Sequence, residues 1–297
     1  MNHLPHSPVC PPWLRLGAVL LVVGFVSLVS ICVDVAPAPG GAGRVYAFGW
    51  NDYGQLGLGD TARRDTPTEL PALPGPAAAA AGGDRHTLVL LQNGDVYAFG
   101  DNEFGELGLG DTIGRFTPTK ISALPGPGMA VAAGDRHSLV LLQNGDVYAF
   151  GWSEYGQLGL GDMTAGLVGL GTPTKISTLP GPAVAVAAGC AQSLVLLANG
   201  DVYAFGANEY GGLGLGDTTE RLIPTKISAL PGPAMAVAAG CAHSLVLLQN
   251  GDVYAFGYNE YGELGLGDTN ERLTPAKITT LPGPATAVAA SGHSLVF

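Results

Sequence analysis

From residue 43 onward the chain is a succession of short apolar runs, each closed by glycine or proline. One unit shows the order. Ala130–Gly134 is a run of small apolar residues, His137–Leu142 a run of larger ones, and Val147–Gly151 a third with two aromatic side chains. Runs of this length between turn residues predict strands rather than helices. Asn144-Gly145 lies between the second and third runs and predicts a type I′ hairpin, with positive φ at both central residues. The glycine-rich stretch Tyr155–Asp162 predicts a compact loop whose leucines point inward. Thr172–Ile176 predicts a short outer strand, since proline is tolerated at a sheet edge. Leu179–Pro182 then turns the chain into the next small-residue run.

This unit recurs. Gly-Asp-Val-Tyr-Ala-Phe-Gly occupies 94–100, 145–151, 200–206 and 251–257, and appears altered as Gly43–Gly49. Its tyrosines, Tyr46, Tyr97, Tyr148, Tyr203 and Tyr254, are spaced 51, 51, 55 and 51 residues apart. The units are 43–93, 94–144, 145–199, 200–250 and 251–297, and a fixed period of this size indicates a propeller or solenoid. Four short antiparallel strands per unit make a propeller blade. The expected fold is therefore all-β, a propeller of five four-stranded blades. The array opens on a returning strand at Val45 and stops at His293–Phe297, a strand of the complementary kind. Pairing of these two strands is expected to close the ring and remove its exposed edges.

Composition narrows the function more than the fold. The chain has 46 glycines, 22 prolines and only 12% charged residues, which suits short strands and tight turns. The formal net charge of −11 argues against nucleic acid as a partner, since phosphate binding needs a basic surface. Of the four cysteines, Cys190 and Cys241 hold the same register in successive units. Equivalent sites on neighbouring blades are expected to exceed the ~7 Å Cα separation a disulfide tolerates. Both cysteines are therefore expected to be small buried residues. No Cys-x-x-Cys pattern suggests a metal, and no cofactor is expected.

Residues 1–42 differ from the rest. Leu16–Val33 is 18 residues without a charge, preceded by Arg15 and followed by a Pro/Gly/Ala linker at 36–42. This reads as an export signal or a membrane anchor, an apolar helix outside the fold. A buried core helix and a spurious extension are the rival readings. The first reading makes the protein secreted or membrane-anchored, with the repeats outside the cytoplasm and membrane contact only through this segment.

The repeat motifs resemble the regulator of chromosome condensation repeat family. The residues that carry the resemblance are the Val-Tyr-Ala-Phe-Gly strand, Asn259–Asp268, Pro224–Ile227 and Gly240–Leu247. The resemblance implies a propeller, typically of seven blades where this chain has five units. The founding member is a nuclear exchange factor for a small GTPase that docks on nucleosomes. Its basic N-terminal tail and long wedge insertion have no counterpart here, and the one insertion is four residues within Met163–Gly171. A secreted bacterial β-lactamase inhibitor of similar type, which caps its target with one face of the ring, is the nearer functional analogy.

Most repeated polar residues read as scaffold. His86, His137, His243 and His293 recur at one position with Gln192 among them, so they are expected to bond their own blade's backbone rather than a metal. Asp60, Asp111, Asp162, Asp217 and Asp268 end each glycine-rich loop and are expected to cap it through backbone N–H groups. Repetition also argues against catalysis, because one active site should break the symmetry; the chain is expected not to be an enzyme. The informative positions are those that vary. After Ala-Phe-Gly stand Trp50, Asp101, Trp152, Ala207 and Tyr258. The loops after Gly-Asp carry Arg63, Arg64 and Phe116 among others. Trp50, Asp101, Trp152, Tyr258, Arg63, Arg64 and Phe116 are the candidate contacts for an unidentified protein partner, because aromatic and arginine side chains anchor such surfaces. The alternatives are an exchange factor for a small GTPase, a glycan-binding propeller and a secreted enzyme inhibitor.

Overall fold

A computed structural model describes residues 43–71, 73–161 and 169–297, and its described residues form strands, turns and loops with no helix. The apolar segment 16–33 lies outside the described residues. Strands β1 (Tyr46–Gly49) and β2 (Arg64–Glu69) form a two-stranded antiparallel sheet. Strands β3 (Ala77–Gly82), β4 (His86–Leu91), β5 (Val96–Gly100) and β6 (Arg115–Lys120) form the first four-stranded sheet, paired in chain order. The same order repeats in β7–β10 (Gly128–Ala133, His137–Leu142, Val147–Gly151, Leu170–Lys175). It repeats again in β11–β14 (Ala183–Ala188, Gln192–Leu197, Val202–Gly206, Arg221–Lys226) and β15–β18 (Ala234–Ala239, His243–Leu248, Val253–Gly257, Arg272–Lys277). Strands β19 (Val288–Ala290) and β20 (Ser294–Val296) end the series as a second two-stranded sheet.

The predicted order of small inner strand, apolar strand, returning strand and outer proline-bearing strand is present in every complete blade. The hairpin differs in detail. Gly94 donates to the Leu91 carbonyl at 2.9 Å and Leu91 donates to the Asp95 carbonyl, so three residues, Gln92-Asn93-Gly94, make the turn. Gly94 has φ +86° and the Asn93 carboxamide accepts from the Asp95 N–H, the signature of a type I turn closed by a glycine bulge instead of type I′. Pro127, which leads into the next blade, seats against Gly94, where a Cβ would lie 2.4 Å from the proline ring.

The core lies between blades. Phe150 of β9 is fully buried among Leu88, Leu90, Val96, Leu107 and Ile121 of the preceding sheet. Phe205 and Phe256 fill the corresponding spaces one and two blades on. Each such ring contributes about 2–3 kcal/mol by leaving water, so the array holds together one neighbour at a time. The first leucine of every glycine-rich loop, Leu56, Leu107, Leu158, Leu213 and Leu264, plugs this core.

The ring closure expected from the sequence is not formed. The strands of a fifth blade exist but are divided, since β20 pairs with β19 and β1 with β2, and the two pairs are separate sheets. Leu295 is 47% exposed where its equivalents Leu88, Leu139, Leu194 and Leu245 are at 0%, and Phe297 is 72% exposed. Tyr46, on the opposing edge, is 42% exposed. β1 and β20 each keep only their own hairpin partner, so each leaves one edge without a strand partner.

Candidate recognition face

The repeated polar residues are consumed by the scaffold. The buried imidazoles do not bond their own blade's backbone, as expected from the sequence, but bridge blades. His86 Nε2 donates to Ser138 Oγ at 2.8 Å, His137 to Ser193 at 3.0 Å and His243 to Ser294 at 2.9 Å. Each serine hydroxyl is itself a donor, to the carbonyls of Glu106, Gln157 and Glu263, so the serine oxygen must accept from an Nε2–H tautomer. Gln192 keeps the role by donating to Ser244 Oγ at 3.1 Å, which explains why histidine is dispensable there. Burial pushes His86 down to about 4 and His137 to about 3, the neighbouring His86 adding to the latter.

Four of the glycine-rich loops are closed by a buried asparagine, Asn51, Asn102, Asn208 or Asn259, and the third carries Ser153 at this position. Asn102 Nδ2 donates to the carbonyls of Asp111 and Ile113, and its Oδ1 accepts from the Leu107 N–H at 3.0 Å. Asp111 accepts from the Ile113 N–H as a loop cap and also binds Arg115 at 2.7 Å. The same carboxylate–guanidinium pair recurs at Asp60–Arg64, Asp217–Arg221 and Asp268–Arg272. In each pair the arginine holds the aspartate below its ordinary range, mainly by hydrogen bonding.

Topology assigns the two faces of the array. Hairpins such as Gln92–Asp95 lie at one end of the strands, and the residues after Gly49, Gly100, Gly151, Gly206 and Gly257 at the other. The hairpin face is uniform: Lys120–Asp95, Lys175–Asp146, Lys226–Asp201 and Lys277–Asp252 all pair at 2.7 Å. The opposite face varies from blade to blade and is aromatic. Trp50 packs edge-on to Tyr53 at 5.3 Å, and Arg85 lies 4.4 Å from the centre of the Tyr53 ring. Trp152 contacts Phe104 and Tyr155, with Arg136 placed over Phe104 at 5.0 Å and Trp152 at 5.9 Å. Tyr258 joins Tyr210 and Tyr261. These rings sit on a rigid base, because the amides of Asp101, Trp152, Ala207 and Tyr258 donate to the carbonyls at 85, 136, 191 and 242.

The candidate contacts separate in space. Trp50, Asp101, Trp152 and Tyr258 follow the returning strands and share the aromatic face. Asp101 is also held there, accepting from the Asn102 and Glu103 amides and lying 4.0 Å from Arg85. Tyr258 donates to the Glu260 carboxylate, which raises its phenol above the ordinary range. Arg64 is bound to Asp60 within its own loop, and Arg63 pairs at 3.5 Å with Asp65, both well exposed. Phe116 is 47% exposed and lies on Gly54 of the preceding blade's loop, so it is partly an interblade contact.

Sequence reasoning passed over Tyr53, Phe104, Tyr155, Tyr210 and Tyr261, because an aromatic recurs at this position and repetition reads as scaffold. It also passed over Arg85 and Arg136. The available signal was the residue before the repeated histidine, arginine in two units and alanine or glycine elsewhere. Beneath this face Glu106 is buried and its carboxylate accepts from the Phe104 N–H at 2.8 Å. Burial pushes its pKa up to about 7. Gln55 and Gln157 make the same bond in other blades.

The cysteines also depart from expectation. Cys190 and Cys241 are joined by a disulfide across adjacent blades, with Cα atoms 4.4 Å apart. The inner strands allow this approach because alanine and glycine line the axis; a Cβ on Gly189 would lie 2.1 Å from the Gly240 carbonyl oxygen.

A family model described as the regulator of chromosome condensation (RCC1) repeat matches residues 42–90, 93–141, 144–196, 199–247 and 250–297. Among curated proteins the chain is 36% identical over 239 residues to the ultraviolet-B receptor UVR8 of Arabidopsis thaliana, covering 79% of this chain and 53% of that one. It is 32% identical to the protein RCC2 homolog of Danio rerio (75% and 49% covered) and 34% identical to the E3 ubiquitin-protein ligase HERC2 of Homo sapiens (84% and 5%). The chain thus spans about half the length of the first two and a small part of the third. Among solved structures, human WBSCR16 matches with TM-score 0.75 at 25% identity, covering 84% of this chain and 66% of that one. Yeast RCC1 (Prp20) bound to Kap60 matches with TM-score 0.74 at 25% identity, covering 85% and 61%.

Proposed function

We propose that this chain, which belongs to the regulator of chromosome condensation (RCC1) repeat family, is a non-enzymatic platform that binds another protein through its aromatic face. The observation that carries this reading is the contrast between faces. Histidine, asparagine, aspartate and lysine are spent on bonds repeated from blade to blade, whereas Trp50, Arg85, Arg136, Trp152 and Tyr258 differ between units and gather at one end of the strands. Large rings stacked with guanidinium groups, on a base of backbone hydrogen bonds, bind with little loss of side-chain freedom. Yeast RCC1, whose fold this chain resembles, has been solved in complex with the protein Kap60. Export through Leu16–Val33, with the repeats outside the cytoplasm, is the localisation we propose with it.

Affinity capture from the native source tests the reading. A captured partner should be lost, by about 30-fold in affinity for a central anchor, on Trp152→Ala, and kept on Gln143→Ala of the hairpin face. Equal loss from both variants would overturn the assignment of the face.

A further inference from the structure

The axis of the array carries a cluster of carboxylate and sulfur ligands outside the aromatic clusters described above. The residues following the axial glycines Gly83, Gly134, Gly189 and Gly240 are Asp84, Asp135, Cys190 and Cys241, in one register. Backbone bonds link this row across blades: the Asp135 N–H donates to the Cys190 carbonyl at 3.4 Å, and the Cys241 N–H to the Ser291 carbonyl at 3.1 Å. The row thereby gathers one carboxylate and two sulfurs whose ligand atoms all lie within 4.8 Å of one another. Cys241 is exposed and Cys190 and Asp135 are half-buried, so the cluster opens to solvent.

We propose that, with the disulfide reduced, Asp135, Cys190 and Cys241 bind one zinc ion at the axis, so that this position alternates between a disulfide and a metal site. Two thiolates select a borderline-soft ion, and one carboxylate oxygen completes three protein ligands of a tetrahedron, leaving one position for water. A small dithiol supplies the reduction: its two sulfurs become a disulfide as the Cys190–Cys241 bond takes up two electrons and two protons. Zinc then displaces both thiol protons to solvent. The Cα separation of 4.4 Å suits both states, because the sulfurs move from bonded contact to sharing an ion by side-chain rotation.

The test uses the full chain with Cys10→Ser and Cys32→Ser, which leaves only the axial thiols. The protein is reduced, freed of reductant under anaerobic conditions, and titrated with cobalt(II) as the spectroscopic probe for zinc. The expected result is a thiolate-to-cobalt charge-transfer band saturating at one equivalent, abolished by one equivalent of zinc and missing from the oxidised protein. Asp135→Asn, which retains both thiols, should weaken cobalt binding at least about tenfold. No band in the reduced protein, or unchanged affinity in Asp135→Asn, overturns the proposal. Alkylating the thiols of the folded protein is the second measurement and should remove the band without refolding a variant.

Discussion

Replacing Glu106 by glutamine isolates the cost of one buried carboxyl in the loop beneath Phe104. Glu106 is 1% exposed and accepts from the Phe104 amide, a bond that Gln55 and Gln157 make as neutral carboxamides. Its folded pKa is raised from 4.5 to about 7, first by burial and then by Asp101, with two backbone bonds and Arg136 opposing. A carboxyl whose folded pKa is raised binds more protons in the native state than in the unfolded chain. Stability from this group is therefore present below pH 4.5 and lost as pH rises through 7. At about 1.4 kcal/mol per pKa unit, the loss is about 3 kcal/mol between pH 4 and pH 8. Glutamine does not titrate. Urea denaturation of both proteins across this range should give a stability difference that grows by about 3 kcal/mol in favour of Glu106→Gln toward pH 8. The buried histidines titrate in both proteins and cancel in the difference. Parallel stability curves would refute the reasoning, because the carboxyl would then be solvated or compensated in the fold.

His137→Ala should cost about 2–4 kcal/mol by denaturation, through a cavity and an unpaired Ser193, whereas His137→Gln should cost under about 1.5 because Gln192 makes the equivalent bond. The depressed His86 and His137 give the opposite pH sign to Glu106: their stability is present above 6.5 and lost as pH falls toward 4 and 3, so His137→Gln should flatten the acid limb of the stability curve. Asn102→Ala should cost about 3 kcal/mol and the exposed-side Arg115→Ala no more than about 1, because Asn102 holds three backbone groups while the Arg115 pair is partly solvated. The exposed β20 edge with Leu295 and Phe297 should make the 297-residue chain self-associate with concentration, and sedimentation velocity should show Leu295→Lys with Phe297→Lys reducing it.

The blade was legible because each strand carries its own local signal: alanine at the axis, Val-Tyr-Ala-Phe returning, proline at the edge. Closure was not, because complementary strand types at the two ends say nothing about the angle between blades. The Cys190–Cys241 bridge was missed for a related reason. Equivalent positions are far apart at the rim but close at the axis, and a Cα separation argued for blades in general does not hold where alanine and glycine let the inner strands approach. Trp50, Trp152 and Tyr258 were visible as variation between units. Tyr53, Phe104 and Arg136, which complete their clusters, were not, because a recurring ring and a single arginine look like scaffold until the blade places them side by side.

Hydroxyl-radical footprinting of the chain with and without its captured protein partner tests the recognition face most directly. Bound partner should protect Trp50, Trp152, Tyr155 and Tyr258 while leaving Tyr148, on the strand that leaves the 143–146 turn, at its free rate. Unchanged modification of Trp152 and Tyr258 in the complex, with protection centred on the hairpin face, would contradict it.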